Sequence, residues 1–104
     1  MNELEKLTQM GLLFGLYQNL LTDKQKMYFS MYYEDDYSLK EIADYYKVSR
    51  NAVHDQIKIV SSKLLEYEEK LKLLYKANQR SEFLDKYIET KDVSWLEKIK
   101  GLDE

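Results

Sequence analysis

The chain has 104 residues, no cysteine, no proline, only three glycines and a net charge of −3. This length suits one domain, and the lack of cysteine excludes disulfide bonds and thiolate metal sites. No apolar run approaches the roughly 18 residues of a membrane span, and the first residues lack the basic start and apolar core of a secretory signal. We therefore expect a cytoplasmic protein with a single domain over residues 1–104, built from helices that few residues interrupt.

Two helices are predicted before the acidic loop at residues 34–36. The first runs from about Glu3 to Leu20 with two apolar stripes, so we expect it to be covered on two sides. These stripes are Leu4, Leu7, Phe14 and Tyr17, and Leu13, Leu16 and Leu20. A capping box of Thr22 and Gln25 begins the second helix. Its expected buried face consists of Met27, Tyr28, Met31 and Tyr32.

The next segment, SLKEIADYYKVSRNAVHDQI at residues 38–57, has the residue types and spacing of a helix-turn-helix. Ser38 and Glu41 form a capping box that starts a short helix. After a break at residues 47–49, Ser49 caps a second helix. A generic helical hairpin is the alternative, but such a hairpin does not require two caps around a three-residue turn.

The outer face of this second helix is where a DNA-binding protein places its reading side chains. Five polar residues share that face: Arg50, Asn51, His54, Asp55 and Lys58. Between residues 49 and 63, three basic side chains outnumber one acid, which leaves a local charge of +2 in an acidic protein. Because phosphate contacts supply much of the affinity for DNA, we expect weak binding to isolated DNA.

The same helix continues into a heptad repeat. Its apolar residues alternate in steps of four and three: Val53, Ile57, Val60, Leu64, Tyr67, Leu71 and Leu74. No glycine or proline interrupts this stretch before Asn78, so the pattern predicts one helix of about 26 residues, roughly 39 Å long. Two interpretations stay open. The seam from Ile57 to Leu74 forms a homodimer or partner-docking stalk, or it packs against the first helix and the C-terminal helices of its own chain.

Two shorter helices are predicted after Asn78. The first has an apolar face of Phe83, Leu84, Tyr87 and Ile88. In the second, SWLEKIKGL, Ser94 and Glu97 form a third capping box and Gly101 suits the C-terminal cap. We expect Trp95 to anchor the packing of this tail rather than to serve as an exposed contact for a partner.

The sequence offers little for catalysis. His54 is the only histidine, and no glycine-rich phosphate loop or serine nucleophile motif occurs. The acids Glu34, Asp35 and Asp36 lack the spacing and additional oxygen ligands of a calcium loop, so we expect a solvated turn. The sequence therefore predicts no enzyme activity, no metal site and no cofactor.

Residues 21–64, LTDKQKMYFSMYYEDDYSLKEIADYYKVSRNAVHDQIKIVSSKL, resemble region 4 of bacterial sigma factors, which reads the −35 promoter element in the major groove. The shared landmarks are LTDKQ at the start of a helix, EIA in the first helix of the motif, VSRNAV at the turn and KL at the end. Over roughly residues 4–90 the chain looks more like the YlxM family. Members of that family are small bacterial proteins, often encoded beside signal recognition particle genes and proposed to act in that pathway.

The sigma resemblance implies roles for individual positions. It places Arg50, Asn51, His54, Asp55 and Lys58 toward base edges, and Ser49, Lys40 and Lys24 near phosphates. Lys47 stands where the turn often has glycine, which costs up to about 1 kcal/mol if the backbone there is left-handed. No segment resembles the sigma region that opens the −10 element and binds core polymerase, so we do not expect promoter initiation.

The predicted fold is all-α, a helical bundle with a sigma-region-4-like helix-turn-helix within residues 22–64 and a helical extension over residues 65–104. The first functional hypothesis is a non-catalytic regulator that binds DNA and forms a homodimer. The second is a protein or RNA interaction module of the signal recognition particle pathway that does not bind DNA.

Overall fold

The computed structural model describes residues 2–103, and every regular element in that range is helical. The elements are α1 Glu3–Tyr17, a 3-10 turn Gln18–Leu20, α2 Asp23–Tyr33, α3 Leu39–Tyr46, α4 Arg50–Leu71, α5 Leu73–Thr90 and α6 Ser94–Gly101. The predicted all-α fold is thus confirmed. Within the same range, no helix combines the length and apolar character that a membrane crossing requires. The chain divides into two compact units, one ending at Lys70 and the other beginning at Leu71.

Helices α1 to α4 supply the core of the first unit. Phe14 of α1 lies against Phe29 of α2 with ring centroids 4.9 Å apart, and Phe29 stacks on Tyr33 at 4.3 Å. The side chains that are almost completely buried are Leu13, Tyr17, Tyr28, Phe29, Ile42, Val53, Val60 and Leu64. Each contributes roughly 1.5–3 kcal/mol through removal of apolar surface from water. Three of them belong to α4, so α1, α2 and α3 pack on α4 between Val53 and Leu64.

The contact between α1 and α4 combines an aromatic pair with hydrogen bonds. The rings of Tyr17 and Tyr67 lie 5.8 Å apart. The Tyr17 hydroxyl donates to Glu68 Oε1 at 2.7 Å, and the Tyr67 hydroxyl donates to the backbone oxygen of Leu20 at 3.5 Å. These bonds satisfy polar atoms at the edge of the core and fix the end of α1 and the following 3-10 turn against the C-terminal end of α4.

Helix α1 is covered on one side only, so the prediction of two covered sides is wrong. Its buried residues are Leu13, Phe14 and Tyr17. The other leucines of the predicted stripes are exposed: Leu4, Leu7, Leu16 and Leu20. The reason is that α2 and α4 contact the same side of α1, through the rings of Phe14 and Tyr17, and leave its opposite side open.

The buried face of α2 differs from the predicted one. Tyr28 is buried as predicted, but its neighbours in the core are Gln25 and Phe29, whereas Met27 is half exposed. Met31 and Tyr32 are only half-buried. Positions 25, 28 and 29 form a helical face at steps of three and four, and the amide of Gln25 permits its burial because it donates to Gln56 Oε1 of α4 at 3.4 Å.

The predicted helix across residues 49–74 is interrupted. Helix α4 ends at Leu71 because Lys72 adopts a left-handed conformation, with φ 57° and ψ 33°. Helix α5 then runs without a break through Asn78, where the sequence pattern had predicted an end. At 22 residues, α4 is about 33 Å long. Leu74, the last residue of the predicted seam, therefore belongs to a different helix.

The predicted dimer seam is mostly core. Ile57, Val60 and Leu64 are buried among the helices of their own unit, and Tyr67 contacts α1. Of the α4 residues in the seam, only Leu71 is substantially exposed, at 48%. From Val53 to Tyr67 the pattern therefore packs within the first unit, including the contact with α1 that the second interpretation predicts. These side chains cannot form a dimer interface without opening the core.

The second unit consists of α5 and α6. The rings of Phe83 and Trp95 lie 6.0 Å apart, and Lys98 Nζ lies 4.4 Å from the Trp95 ring centroid. Trp95 is half-buried in this contact, as expected of a packing anchor. The predicted capping box of Ser94 is wrong, because Ser94 is the first helical residue and its N–H donates to Asp92 Oδ1 at 2.9 Å. Gly101 ends the helix as its last residue, and Leu102 occupies the cap.

Candidate nucleic-acid interface

The first helix of the motif, α3, begins at the predicted capping box. The Glu41 N–H donates to Ser38 Oγ at 3.0 Å, and the Ser38 N–H donates to Glu41 Oε1 at 3.0 Å. Hydrogen bonding from the Ser38 backbone, and then from its side chain, lowers the pKa of the Glu41 carboxyl below its ordinary value. The charged form of Glu41 is therefore part of the cap.

The turn between α3 and α4 contains a strained residue. Lys47 has φ 57° and ψ 45°, the left-handed conformation that favours glycine. The Val48 N–H donates to the Ala43 oxygen at 3.0 Å, which closes the end of α3 as in a Schellman motif. Ser49 Oγ accepts from the Ala52 N–H at 3.0 Å and caps α4, as predicted.

The inner faces of α3 and α4 hold the motif together. Ile42 and Ala43 are buried on α3, and Val53 and Ile57 are buried on α4. The ring of Tyr46 packs on Tyr28 of α2 at 5.0 Å. Because these apolar residues face inward at steps of three and four, the polar residues between them on α4 must face outward.

The predicted reading residues lie on this outward face. All of them are exposed: Ser49, Arg50, Asn51, His54, Asp55 and Lys58. Helix α4 has no acidic residue in its first turn. Its positive helix end and the guanidinium of Arg50 therefore add to each other. Asp55 opposes them, with its Oδ1 3.9 Å from His54 Nδ1. Among residues 2–103, no carboxylate pairs with Arg50 or Lys58.

Two neighbouring grooves bring four of the predicted basic or polar side chains to one side of the unit. Lys40 and Arg50 line a groove of about 520 Å³, and His54 and Lys58 line one of about 380 Å³. Both grooves share the side chains Tyr32, Tyr33 and Leu39. Asp36 and Tyr37 also line the larger groove. The positive charge along this surface is therefore discontinuous.

Lys24 does not join these four side chains. It lines neither groove, and its Nζ lies 5.6 Å from the ring centroid of Tyr28 on α2. It remains exposed beside Gln25, whose side chain contacts α4. Lys24 therefore marks a second, separate place where a phosphate could be bound.

The sequence does not predict that tyrosines line the grooves. It predicts a core position for Tyr32 and no role for Tyr33 or Tyr37. In the structure Tyr32 and Tyr33 are half-buried and Tyr37 is exposed. Their spacing does not distinguish them from core residues, since consecutive positions such as Tyr28 and Phe29 are both buried.

An all-helical protein with an intact helix-turn-helix and an exposed second motif helix is the class that this geometry defines. Comparison with known proteins identifies the family within this class. Residues 4–103 match the family described as "Putative helix-turn-helix protein, YlxM / p13 like". The chain belongs to this family, which confirms the resemblance noted from the sequence.

Individual relatives agree with the family assignment. The UPF0122 protein YlxM of Bacillus subtilis (strain 168) is 57% identical over 83 residues, which cover 80% of this chain and 76% of the relative. A UPF0122 protein of Bacillus pumilus is 58% identical over the same coverage. The UPF0122 protein lin1916 of Listeria innocua is 44% identical over 108 aligned positions, covering 95% and 98% of the two chains.

Proposed function

We propose that this protein is a regulator that binds duplex DNA by inserting the first turns of α4 into the major groove. The observation that carries this proposal is the division of α4 into two faces. Val53, Ile57 and Val60 are buried in the core, whereas the polar residues of the outer face are exposed. A helix presented in this way, after a capped turn, matches the dimensions of the major groove.

The residues on this face divide into two roles. Arg50 and Asn51 can each form bidentate hydrogen bonds, Arg50 with guanine and Asn51 with adenine. Lys40 and Lys58 flank them, and Lys24 stands apart on α2, so these three lysines are suited to phosphates. Asp55 repels phosphate, which lowers affinity and restricts the approach of α4 to the orientation that keeps this carboxylate away from the backbone.

The number of basic contacts sets the expected salt dependence. If Lys40, Lys58 and Lys24 each neutralise one phosphate, the logarithm of the binding constant should fall with a slope of about −3 against the logarithm of salt concentration. At about 150 mM salt we expect a dissociation constant in the micromolar range or weaker for random duplexes.

Fluorescence anisotropy with labelled 30-base-pair duplexes and with genomic fragments measures this slope directly. Arg50→Ala with Lys58→Ala should reduce its magnitude by about 1, through the lost phosphate contact of Lys58, and release the fragments because the guanine contact of Arg50 is lost as well. Lys86→Ala with Lys100→Ala removes the same charge from exposed positions of α5 and α6 and should leave the slope unchanged. Equal retention by both double variants would refute binding through α4.

A second candidate function is supported by the acidic balance of the chain. With a net charge of −3, and Asp36 and Asp55 beside the basic residues, the surface is also suited to a protein or to a nucleoprotein. The family resemblance suggests components of the signal recognition particle. A tagged chain incubated with lysate, with and without nuclease, separates the candidates. Recovery of the particle's GTPase after nuclease treatment supports this role, and an eluate without particle components counts against it.

A further inference from the structure

The side of α1 that faces away from the core forms a continuous exposed surface. It consists of Leu4, Thr8, Gly11, Leu12, Gly15 and Leu16, which follow one another at steps of one, three and four and which we call the α1 outer face. Leu4, Leu12 and Leu16 are 73%, 52% and 43% exposed. Leu20, in the 3-10 turn that follows, is also exposed.

Beyond its first turn, where Glu5 is exposed beside Leu4, this surface lacks the charges that keep an exposed helix in solvent. Residues 7–22, LTQMGLLFGLYQNLLT, contain no charged side chain, although 34% of the whole chain is charged. The one hydroxyl on the α1 outer face is already used, because Thr8 Oγ1 donates to the Leu4 backbone oxygen at 2.9 Å. An exposed helix normally interleaves acidic and basic residues on its solvent side. The α1 outer face instead has the composition of a buried surface.

The two glycines of this face have no role within the described chain. A Cβ at Gly11 or Gly15 would meet no atom within 4 Å, and neither residue has a positive φ. Glycine within a helix lowers stability, so two of them four residues apart, without an intramolecular reason, indicate an approach by something outside the chain. Their missing side chains allow a second helix backbone to come close.

From these observations we infer that the α1 outer face is the interface of a homodimer, with the α1 helices of two chains packed antiparallel about a two-fold axis near Leu12. In that arrangement Leu12 meets the same residue of the partner chain, Leu16 meets the methyl of Thr8, and Leu20 approaches Leu4. Every apolar residue then gains an apolar partner, as a self-complementary interface requires.

The available area fits a second copy of the chain. With Leu20 included, the surface amounts to on the order of 500 Å² per chain, the size of the largest apolar patch on a typical monomer. Two copies would bury about 1,000 Å², which is the lower limit for a specific interface. From Leu7 to Leu20 the absence of charge gives a charged partner nothing to recognise, whereas the same uncharged stretch of a second copy is an equal match. The α1 outer face shares no residue with the outer face of α4, so this inference does not depend on DNA binding.

Sedimentation equilibrium of the full chain tests the dimer. The mass should approach twice 12.6 kDa at micromolar to millimolar concentrations. Leu12→Lys with Leu16→Lys places like charges across the axis and should raise the dissociation constant about 100-fold or more, with an unchanged circular dichroism spectrum. Leu84→Lys with Leu96→Lys changes two leucines of similar exposure in the second unit and should leave the dimer intact.

Disulfide trapping tests the register independently. The chain has no cysteine, so Leu12→Cys introduces a single thiol that should join two chains under mild oxidation. Leu96→Cys, the matched control, should remain a monomer on a denaturing gel. A wild-type mass of 12.6 kDa at all concentrations, or a dimer that survives the two lysines on α1, would overturn the inference.

Discussion

Replacement of Lys47 by glycine should stabilise the helix-turn-helix. Lys47 adopts φ 57° and ψ 45° at the end of α3, and its N–H still reaches the oxygens of Ala43 and Asp44. For a residue with a Cβ, this fully left-handed conformation costs about 1–2 kcal/mol, which is at or above the cost expected from the sequence. The reason is that the Cβ crowds the carbonyl oxygen that follows it. Glycine removes that crowding and keeps the backbone hydrogen bonds.

The gain in the free energy of unfolding should be smaller than the strain energy that glycine relieves. Glycine also has more conformational freedom in the unfolded chain, which takes back about 0.4–1 kcal/mol. The net increase in the free energy of unfolding should therefore be about 0.5–1 kcal/mol. For a chain of this size, such a change raises the melting temperature by roughly 2–6 °C.

Thermal and urea denaturation, followed by circular dichroism, measure this change. Lys47→Asn and Lys47→Ala remove the same charge and serve as controls, since asparagine tolerates the left-handed conformation better than alanine does. The expected order of stability is glycine, then asparagine, then alanine close to lysine. A glycine variant no more stable than the alanine variant would show that the turn carries no recoverable strain.

Three further predictions concern the core, the capping box and the bond between α1 and α4. Leu64→Ala should lower the free energy of unfolding in urea by about 2–5 kcal/mol, whereas Leu65→Ala, at a half-exposed neighbour, should cost less than about 1; equal losses would contradict the placement of α4. The pKa of Glu41 is lowered, so its contribution to stability is fully present above its ordinary value of 4.5 and is lost as the pH falls through the folded-state pKa. Glu41→Gln removes this titration, so the melting temperature of the variant should fall less steeply between about pH 5 and pH 3. A melting temperature that falls as steeply as in the unmodified chain would count against the cap. Tyr17→Phe removes the donor to Glu68 and should cost about 1 kcal/mol in urea, while no loss would mean that solvent replaces this bond.

Local hydrogen-bonding patterns were the part of the fold that the sequence specified best. Ser38 with Glu41 and Thr22 with Gln25 form the capping boxes that their spacing predicts. Such boxes depend on residues three positions apart and need no knowledge of the remaining chain. The capping box predicted for Ser94 and Glu97 does not form, also for a local reason: the Ser94 N–H donates to Asp92, two residues earlier.

Burial was harder to predict, because it depends on which helices lie on which side. The leucines of α1 look equally apolar in sequence, yet Leu13 is completely buried and Leu12 is half exposed. The break at Lys72 had no signal either, since a lysine in a left-handed conformation is set by the backbone around it and not by its own preference. The grooves beside α4 depend on tertiary contacts of Tyr32 and Tyr33, which no local spacing encodes.

The heptad spacing of α4 shows why periodicity alone cannot locate an interface between chains. Apolar residues at steps of three and four suit a coiled-coil partner and a core of the same chain equally well. The two cases differ in what remains uncovered after folding. In α4, Val60 and Leu64 are buried in the core. In α1, by contrast, exposed leucines surround two glycines at which a Cβ would meet no atom within 4 Å. Within the first unit, exposed apolar surface that association can bury is therefore found on α1 rather than along the inner face of α4. A dimer formed through α1 involves none of the reading residues of α4 and needs no change in the core. A dimer formed through Val60 and Leu64 would require the core to open, because both residues are buried in it.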